Sequence, residues 1–521
     1  MSEEEPGEDD PVESTDGASE ETVVRRDRFS GGPARGFLSS LDADERIFEA
    51  DLAVDRAHVV MLAEQGIIGD DVAGEILAAL EDIEDAGHDA LPDGEDVHEA
   101  IESAVIERVG REDVAVSDDS ATHQATKSSD GGKMHTARSR NDEVAACIRY
   151  RLREDLLDTV ATVVEARRRL IAMAEAHRET VMPGYTHLQP AQPTTVAHWI
   201  LSYEQTLQRD TGRLLDAYER VDRNPLGSAA FAGTPFDVDR ERTAELLGFA
   251  SVAENSMDAS ASRDFLVEVA AALANLATTL SGLAEDVIVM ASKGHVELDD
   301  DYASTSSIMP QKKNPDTLEL VRGRTGDATA GLNGLLTNLK GQPRAYNRDL
   351  QRAGRHVWDA IDSVTESVEV AAGAVTTADW PAETLEDAAG EGFSTATGIA
   401  DLLAKHGVPF RTAHEVVAES AEGLDTDQDA PDYETLDAVC QDILGESLSN
   451  YVDRAAVETA LDPAESVVMR DSRGGPAPAA IADQLETAAD QLDEDADELT
   501  ARQDALAAAA DRLDSEVETY V

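Results

Sequence analysis

The chain is 521 residues long and carries 107 acidic residues against 43 basic ones, for a net charge of -64 and a pI near 4.3. That field excludes nucleic acid and anionic membrane as partners, while 41% hydrophobic residues in long periodic segments exclude a wholly disordered chain. Charges repel over a Debye length of about 10 Å in 0.1 M salt but only about 3 Å in 1 M, so the composition marks a protein adapted to a salty interior.

Two cysteines, Cys147 and Cys440, cannot build a disulfide framework. The reading finds no 18-residue apolar run and no signal segment, so a cytoplasmic protein is expected. The length suggests about three domains. Residues 1–25 lack apolar periodicity and read as a disordered acidic tail. Residues 26–137 form an N-terminal helical domain of short helices, with an aperiodic polar insertion at 111–130 expected as a surface loop. From 138 to 387 the pattern lengthens. Glu143–His177 holds neither Gly nor Pro and as one helix would span about 50 Å. Further long helices are expected over Thr194–Val221, Ala259–Met290, Asp316–Leu339 and from Asp349 to about Ala374. Such helices, rich in Ala and Leu, bury their stripes in a bundle, and elongated bundles often complete their core by oligomerising. Residues 388–521 read as a C-terminal domain of shorter helices ending in an acidic amphipathic helix from about 480. There is almost no strand signal.

Polar and Gly/Pro-rich clusters punctuate the bundle. "SSIMPQKKNPD" (306–316) holds two of the chain's seven lysines, Lys312 and Lys313. With Asn314 and the start of a helix behind them, they suit a substrate carboxylate. One lysine is expected to be a solvated surface residue, and Lys313 is the better fit for that role. "YTHLQ" offers Thr186, His187 and Gln189. A lone histidine is more often structural, unless a carboxylate such as Glu319 orients it. "HTARSRND" sets Arg138, Ser139, Arg140, Asn141 and Asp142 before the longest helix. Capping explains part of it, but two arginines at a positive helix end call for an anion or an acidic partner. "AYNRDLQ" supplies Tyr346 and Gln351 for a polar amino-acid tail. No metal-ligand spacing, phosphate loop or Cys/His nucleophile stands out, so neither metal nor cofactor is expected.

Together these clusters resemble the fumarase/aspartase superfamily of lyases, whose Ser-Ser-x-Met-Pro-x-Lys-x-Asn-Pro signature is matched from Ser306 to Pro315. The lysine pair, "HTARSRND", "PGYTHLQPAQP", "NPLGSAAFAGTPFDVDR", "NSMDASASRDF", "AYNRDLQ" and "SVVMRDSRGGPAP" follow, in order, the argininosuccinate lyase branch. The likeness runs roughly from residue 28 to 480. It implies a mainly α, three-domain subunit whose central long-helix bundle completes its core in a homotetramer, with each active site shared by three subunits. It also implies reversible cleavage of argininosuccinate to arginine and fumarate, in arginine biosynthesis. Carried over residue by residue, Ser306 matches the family's base, and His187 with Glu319 its histidine–carboxylate pair. Ser40, Asp44, Asp96, His98, Ser139, Arg140, Asn141, Thr186, Lys312, Asn314, Tyr346 and Gln351 match substrate contacts. The chain departs from the family pattern where it has Ala137, Thr305 and Gly354 in place of Gly, Gly and Lys, and Glu143 in place of Gln. Arg355 is the expected substitute for the missing lysine. Competing readings are another fumarate-releasing lyase, such as adenylosuccinate lyase or aspartase, and a non-catalytic crystallin-like relative.

Overall fold

The computed structural model describes residues 33–109, 130–422, 424 and 429–521. The acidic tail at 1–25 lies outside the described residues, as does the 111–130 insertion apart from Asp130. In chain order the first helices are α1 (Pro33–Leu38), α2 (Phe48–Glu64), α3 (Asp70–Ala86) and α4 (Val97–Val109). Then α5 runs unbroken over Arg140–Ala176. A capping box starts it: Ser139 Oγ and the Asp142 carboxylate satisfy each other's orphan backbone N–H groups. No Gly or Pro interrupts the 37 residues that follow.

Next comes a hairpin that the sequence did not announce, β1 (Val181–Thr186) paired antiparallel with β2 (Gln189–Thr195). Three prolines lie in its two strands and hide the alternation by which strands are recognised. The bundle continues with α6 (Val196–Val221), β3 (Arg223–Asn224), α7 (Arg240–Leu246), β4 (Ser251–Val252) and α8 (Ser256–Ala261). The helix expected over Ala259–Met290 is broken: Asn255 caps α8, Ser262 turns extended, and α9 begins anew at Asp264 and runs to Lys293. By length and composition α9 could cross a membrane, with a mean hydropathy of 1.5 over 18 residues, which corrects the expectation of no such run. Half of that stretch is buried against the other bundle helices.

The short strands β5 (Ser304–Thr305) and β6 (Lys313–Asn314) close the lysine loop, followed by α10 (Asp316–Leu339) and α11 (Ala353–Thr377). The rest is α12 (Ala382–Gly390), α13 (Ala396–Lys405), α14 (Phe410–Ala421), α15 (Tyr433–Leu444), α16 (Arg454–Leu461), α17 (Pro463–Val468) and α18 (Pro478–Val517).

The buried apolar side chains form three main clusters. The largest joins the stripes of α5, α6, α9, α10 and α11. A second gathers α2, α3 and α4 with the start of α5, and a third gathers α13 to α16. The 40-residue α18 spans two of them. It lays Ile481, Leu485, Leu492 and Leu499 along the bundle and puts Leu513 and Val517 into the second cluster. Its tail fits closely there, since a Cβ on Gly74 would lie 2.5 Å from the Tyr520 carbonyl oxygen. Arg167 of α5, fully buried, locks α18 in place by pairing with Glu204 of α6 at 2.9 Å and with Asp495 of α18.

Candidate active site

The site residues fall into three groups. The first is the lysine loop. Ser306 N–H donates to Lys312 carbonyl oxygen at 3.1 Å, extending the β5–β6 ladder. Ser306 Oγ in turn accepts from the backbone N–H groups of Ile308 (3.3 Å) and Met309 (3.0 Å). Two amide dipoles aimed at one hydroxyl oxygen favour its ionised form, which is the help a serine needs to act as a base. Lys313 is a partly exposed surface residue, as expected, but not a free one: Asp300 holds its ammonium at 2.7 Å and Glu297 at 3.4 Å, and these partners raise its pKa. Lys312 is exposed and takes part in no ion pair among the described residues, so it is the cation free for a ligand. Asn314 sits in β6, and Glu319 is exposed on the first turns of α10. Ile308 is 83% exposed, leaving an apolar loop tip with nothing on it.

The second group is the hairpin tip. Thr186 pairs with Gln189 across a two-residue loop, His187 and Leu188, both left-handed at φ 56° and 59°. That is type I′ geometry, normally built with Asn-Gly. His187 therefore projects from the tip, exposed. Just below it, Tyr185 is fastened by a 2.7 Å hydrogen bond between its hydroxyl and His295 Nε2.

The third group surrounds the start of α5. Ser40 Oγ donates to Asp44 Oδ2 at 2.7 Å, and the same oxygen accepts from Val97 N–H. Arg140 pairs with Asp96 at 3.0 Å, and Asn141 Nδ2 donates to Ala230 carbonyl oxygen at 3.1 Å. Gln351 Nε2 donates to Leu38 carbonyl oxygen at 3.0 Å. Burial raises the pKa of Tyr346, opposed first by Arg263 and then by Arg348, while Asp96 and Asp44 add to the rise. Burial likewise raises Asp44, whereas His98 and Arg140 outweigh burial at Asp96 and lower it.

Two expectations change here. Both arginines of "HTARSRND" have acidic partners, Arg140 with Asp96 and the buried Arg138 with Asp55 and Glu143, so neither is the vacant anion site that the sequence suggested. His98 is only 5% exposed and turns Nδ1 to Asp51 at 2.8 Å, which removes it from the substrate contacts. Burial would strip its ring proton, but Asp51 and Glu143 outweigh burial and raise the pKa to about 10.

Sequence reasoning missed two residues. Asp142, fully buried and raised by burial to about 6, is more than a cap. Its Oδ1 accepts from Ser139 N–H at 3.0 Å and its Oδ2 from Ala229 N–H at 2.8 Å, tying two loops together. Arg263, 2% exposed, has no acidic partner among the described residues, and burial lowers its pKa to about 10. The only sequence signal for either was its place inside a polar cluster.

Among the described residues no hydrogen bond or ion pair joins the group around the start of α5 to the hairpin or to the lysine loop, and helix length explains why. The hairpin lies beyond the far end of the 37-residue α5 from Ser139–Asn141, about 55 Å along the axis. Likewise the lysine loop precedes the 24-residue α10 and Tyr346 follows it, about 36 Å away. Among the described residues His187 and Glu319 are not paired with each other. The candidate residues of one chain lie at both ends of its bundle. Arg355 lies on α11, 64% exposed, with Asp359 at 3.7 Å. Gly354 beside it is buried, and a Cβ there would meet Trp358 Nε1 at 3.1 Å.

A family model described as lyase matches residues 37–329, and one described as argininosuccinate lyase C-terminal matches 393–468. The chain is 76% identical to an argininosuccinate lyase of Haloarcula marismortui, over 99% of both chains. It is 67% identical to that of Natronomonas pharaonis, over 89% of this chain and 90% of the other. Among solved structures, EDDS lyase in complex with formate superposes with a TM-score of 0.79 at 30% identity, covering 94% of this chain and 96% of that one. A class II fumarase from Schistosoma mansoni, at 16% identity and TM-score 0.66 over 85% and 96%, shares the fold. With a lyase model matching more than half of its length and relatives this similar over nearly all of it, the chain belongs to the argininosuccinate lyase family.

Proposed function

We propose that the chain cleaves argininosuccinate reversibly to L-arginine and fumarate by base-initiated β-elimination, in a homotetramer whose active sites each draw on three subunits. The observation that carries this reading is the separation of the Ser139–Tyr346 group from the hairpin and from the lysine loop, along helices of about 55 and 36 Å. Antiparallel packing of central helices from different subunits brings the hairpin of one, the lysine loop of another and the Ser40–Tyr346 group of a third to one place. Long bundles in symmetric oligomers commonly meet in this way.

In that site Ser306 takes the proton next to a substrate carboxylate. The electron pair left on carbon is spread into that carboxylate, where Lys312, Asn314 and the amide groups at the start of α10 stabilise the growing charge. As the carbon–nitrogen bond breaks, the pair on nitrogen takes a proton from His187, which Glu319 of another subunit orients. Thr186, Ser139 and Asn141 bind the fumarate half, and Arg140 holds Asp96 in place. Ser40, Asp44, Asp96, Tyr346 and Gln351 bind the arginine half.

The test is fumarate absorbance after offering argininosuccinate, adenylosuccinate, aspartate and malate separately in molar salt. Release from argininosuccinate alone is expected; release from one of the others instead would favour a sister lyase, and release from none a crystallin-like relative. Sharing between subunits has its own test. Ser306→Ala and Tyr346→Phe chains, each inactive alone, should regain up to about a quarter of wild-type activity when unfolded and refolded together, because a site drawing those positions from different subunits can be intact in both. No recovery would place a whole site within one chain.

A further inference from the structure

Arg263 stands at the break between α8 and α9, where Ser262 turns extended and α9 starts afresh at Asp264. It is 2% exposed, and among the described residues no carboxylate pairs with it, in a chain whose net charge is -64. Its Nη1 donates to the Ser262 carbonyl oxygen at 2.8 Å, its Nε is enclosed without a partner, and its Nη2 has none among the described residues. The setting adds positive charge instead of cancelling it. Arg263 immediately precedes the 30-residue α9, whose orphan N–H groups and dipole make that end positive. Arg149 is buried close by, and burial and then Arg263 lower its pKa to about 9. Arg149 is nevertheless provided for. It donates to the Arg220 and Val221 carbonyl oxygens at the end of α6, and its guanidinium carbon lies 3.8 Å from the centre of the Phe265 ring. Arg263 has nothing comparable; against its burial, the titratable side chain that favours its charge is Tyr346. Buried charges are almost always paired, because an isolated one costs stability, so this guanidinium calls for an anion.

We propose that Arg263 binds the carboxylate of the arginine half of the substrate, through the edge formed by its Nε and Nη2. The inference rests on the argininosuccinate reading and adds a residue to that site. The arginine half carries an α-carboxylate, which requires a cation. Of the side chains assigned to that half, Asp44 and Asp96 are anions that suit only its cationic groups, and Ser40, Tyr346 and Gln351 are neutral. The other arginines of the group are taken, Arg140 by Asp96 at 3.0 Å and Arg348 by Glu95. Arg355, the cation expected from the sequence, is exposed and has Asp359 at 3.7 Å. Arg263 and Tyr346 act on each other's ionisation, and Asp44 and Asp96 act on Tyr346, which puts the free guanidinium in the same neighbourhood as the arginine-binding residues. Two N–H groups on one planar edge match the two oxygens of a carboxylate, and exclusion of water strengthens their pull.

The experiment runs the reaction backwards on the full-length protein in molar KCl, offering fumarate with L-arginine or with agmatine, which is arginine without the carboxylate, and following the loss of fumarate absorbance. Wild type is expected to favour arginine about a hundredfold in kcat/KM, and Arg263→Met to reduce that preference to about tenfold or less. Arg263→Lys, a single point charge in place of a fork, should fall between them. In the forward direction Arg263→Met should raise KM for argininosuccinate about tenfold and change kcat little, the mark of a contact made equally in ground and transition states. Rates that fall alike with arginine and agmatine, leaving the preference intact, overturn the proposal, and so does a preference narrowed by Arg355→Ala instead. Removing an unpaired buried charge costs no stability, so Arg263→Met should melt no lower than wild type and keep its light-scattering mass. A variant that fails to fold or assemble therefore also overturns the proposal, by showing that the guanidinium is held within the fold or by a partner subunit. Wild type that turns over neither argininosuccinate nor arginine with fumarate would overturn the argininosuccinate reading itself, and the proposal with it.

Discussion

At the scale of single residues, the adjacent lysines show how a fold assigns different work to identical side chains. Lys313 is tied to Asp300 and Glu297, while Lys312 is left unpaired at the loop surface. Lys312→Met should therefore lower kcat/KM about a hundredfold or more, as loss of a charge-stabilising group does, and Lys313→Met far less. Equal effects in a fumarate-release assay would contradict the assignment. Ser306→Ala should lower kcat about a thousandfold with the oligomer intact, because the two amides it frees lie in an exposed loop and can turn to water. Near-normal turnover would remove Ser306 from the chemistry. Ala137 is another kind of site. It holds φ at 64°, where a Cβ is strained, so Ala137→Gly should stabilise by about 1 kcal/mol in denaturation experiments. These positions also mark how far the sequence could be read. The loop motifs were visible, but Arg138 and Arg140 looked like an anion site because Asp55 and Asp96 lie more than 40 residues away in the chain and only the fold brings them near.

At the scale of elements, α5 was legible because a long stretch free of Gly and Pro has few alternatives to helix, and α6, α10 and α11 because their helical apolar spacing persists through their glycines. The β1–β2 hairpin was not, since His187–Leu188 lacks the Asn-Gly signature and proline masks the strands. The break between α8 and α9 was missed as well: Ser and Asn are common helix-surface residues, and only the Asn255 cap and the extended Ser262 reveal the interruption. What holds α18 down is equally hidden. Arg167, Glu204 and Asp495 sit on three helices separated by up to 328 residues. Removing the shared guanidinium leaves two carboxylates buried and unpaired. Arg167→Ala should accordingly cost about 3–5 kcal/mol, read from the denaturation midpoint in molar salt. A cost below 1 kcal/mol would show that α18 is held by its apolar face alone.

At the scale of the whole molecule, charge decides the conditions under which these contacts persist. With -64 charges on each chain, self-repulsion grows as screening weakens, so dilution from molar to 0.1 M salt should lower the light-scattering mass and fumarate release together. An assembly that kept its mass and full activity at low salt would contradict this. The placing of α18 bears on the birth of the chain. Leu513 and Val517 complete the apolar cluster built by α2, α3 and α4, so this early cluster waits for the far end of α18 to be translated. Domains commonly fold as they emerge, but this one should stay incompletely packed through most of synthesis, its acidic surface and the cell's salt meanwhile keeping it from neighbouring chains. Nascent chains stalled before Leu513 should be cleaved by protease within α2–α4, and chains released at Val521 should resist.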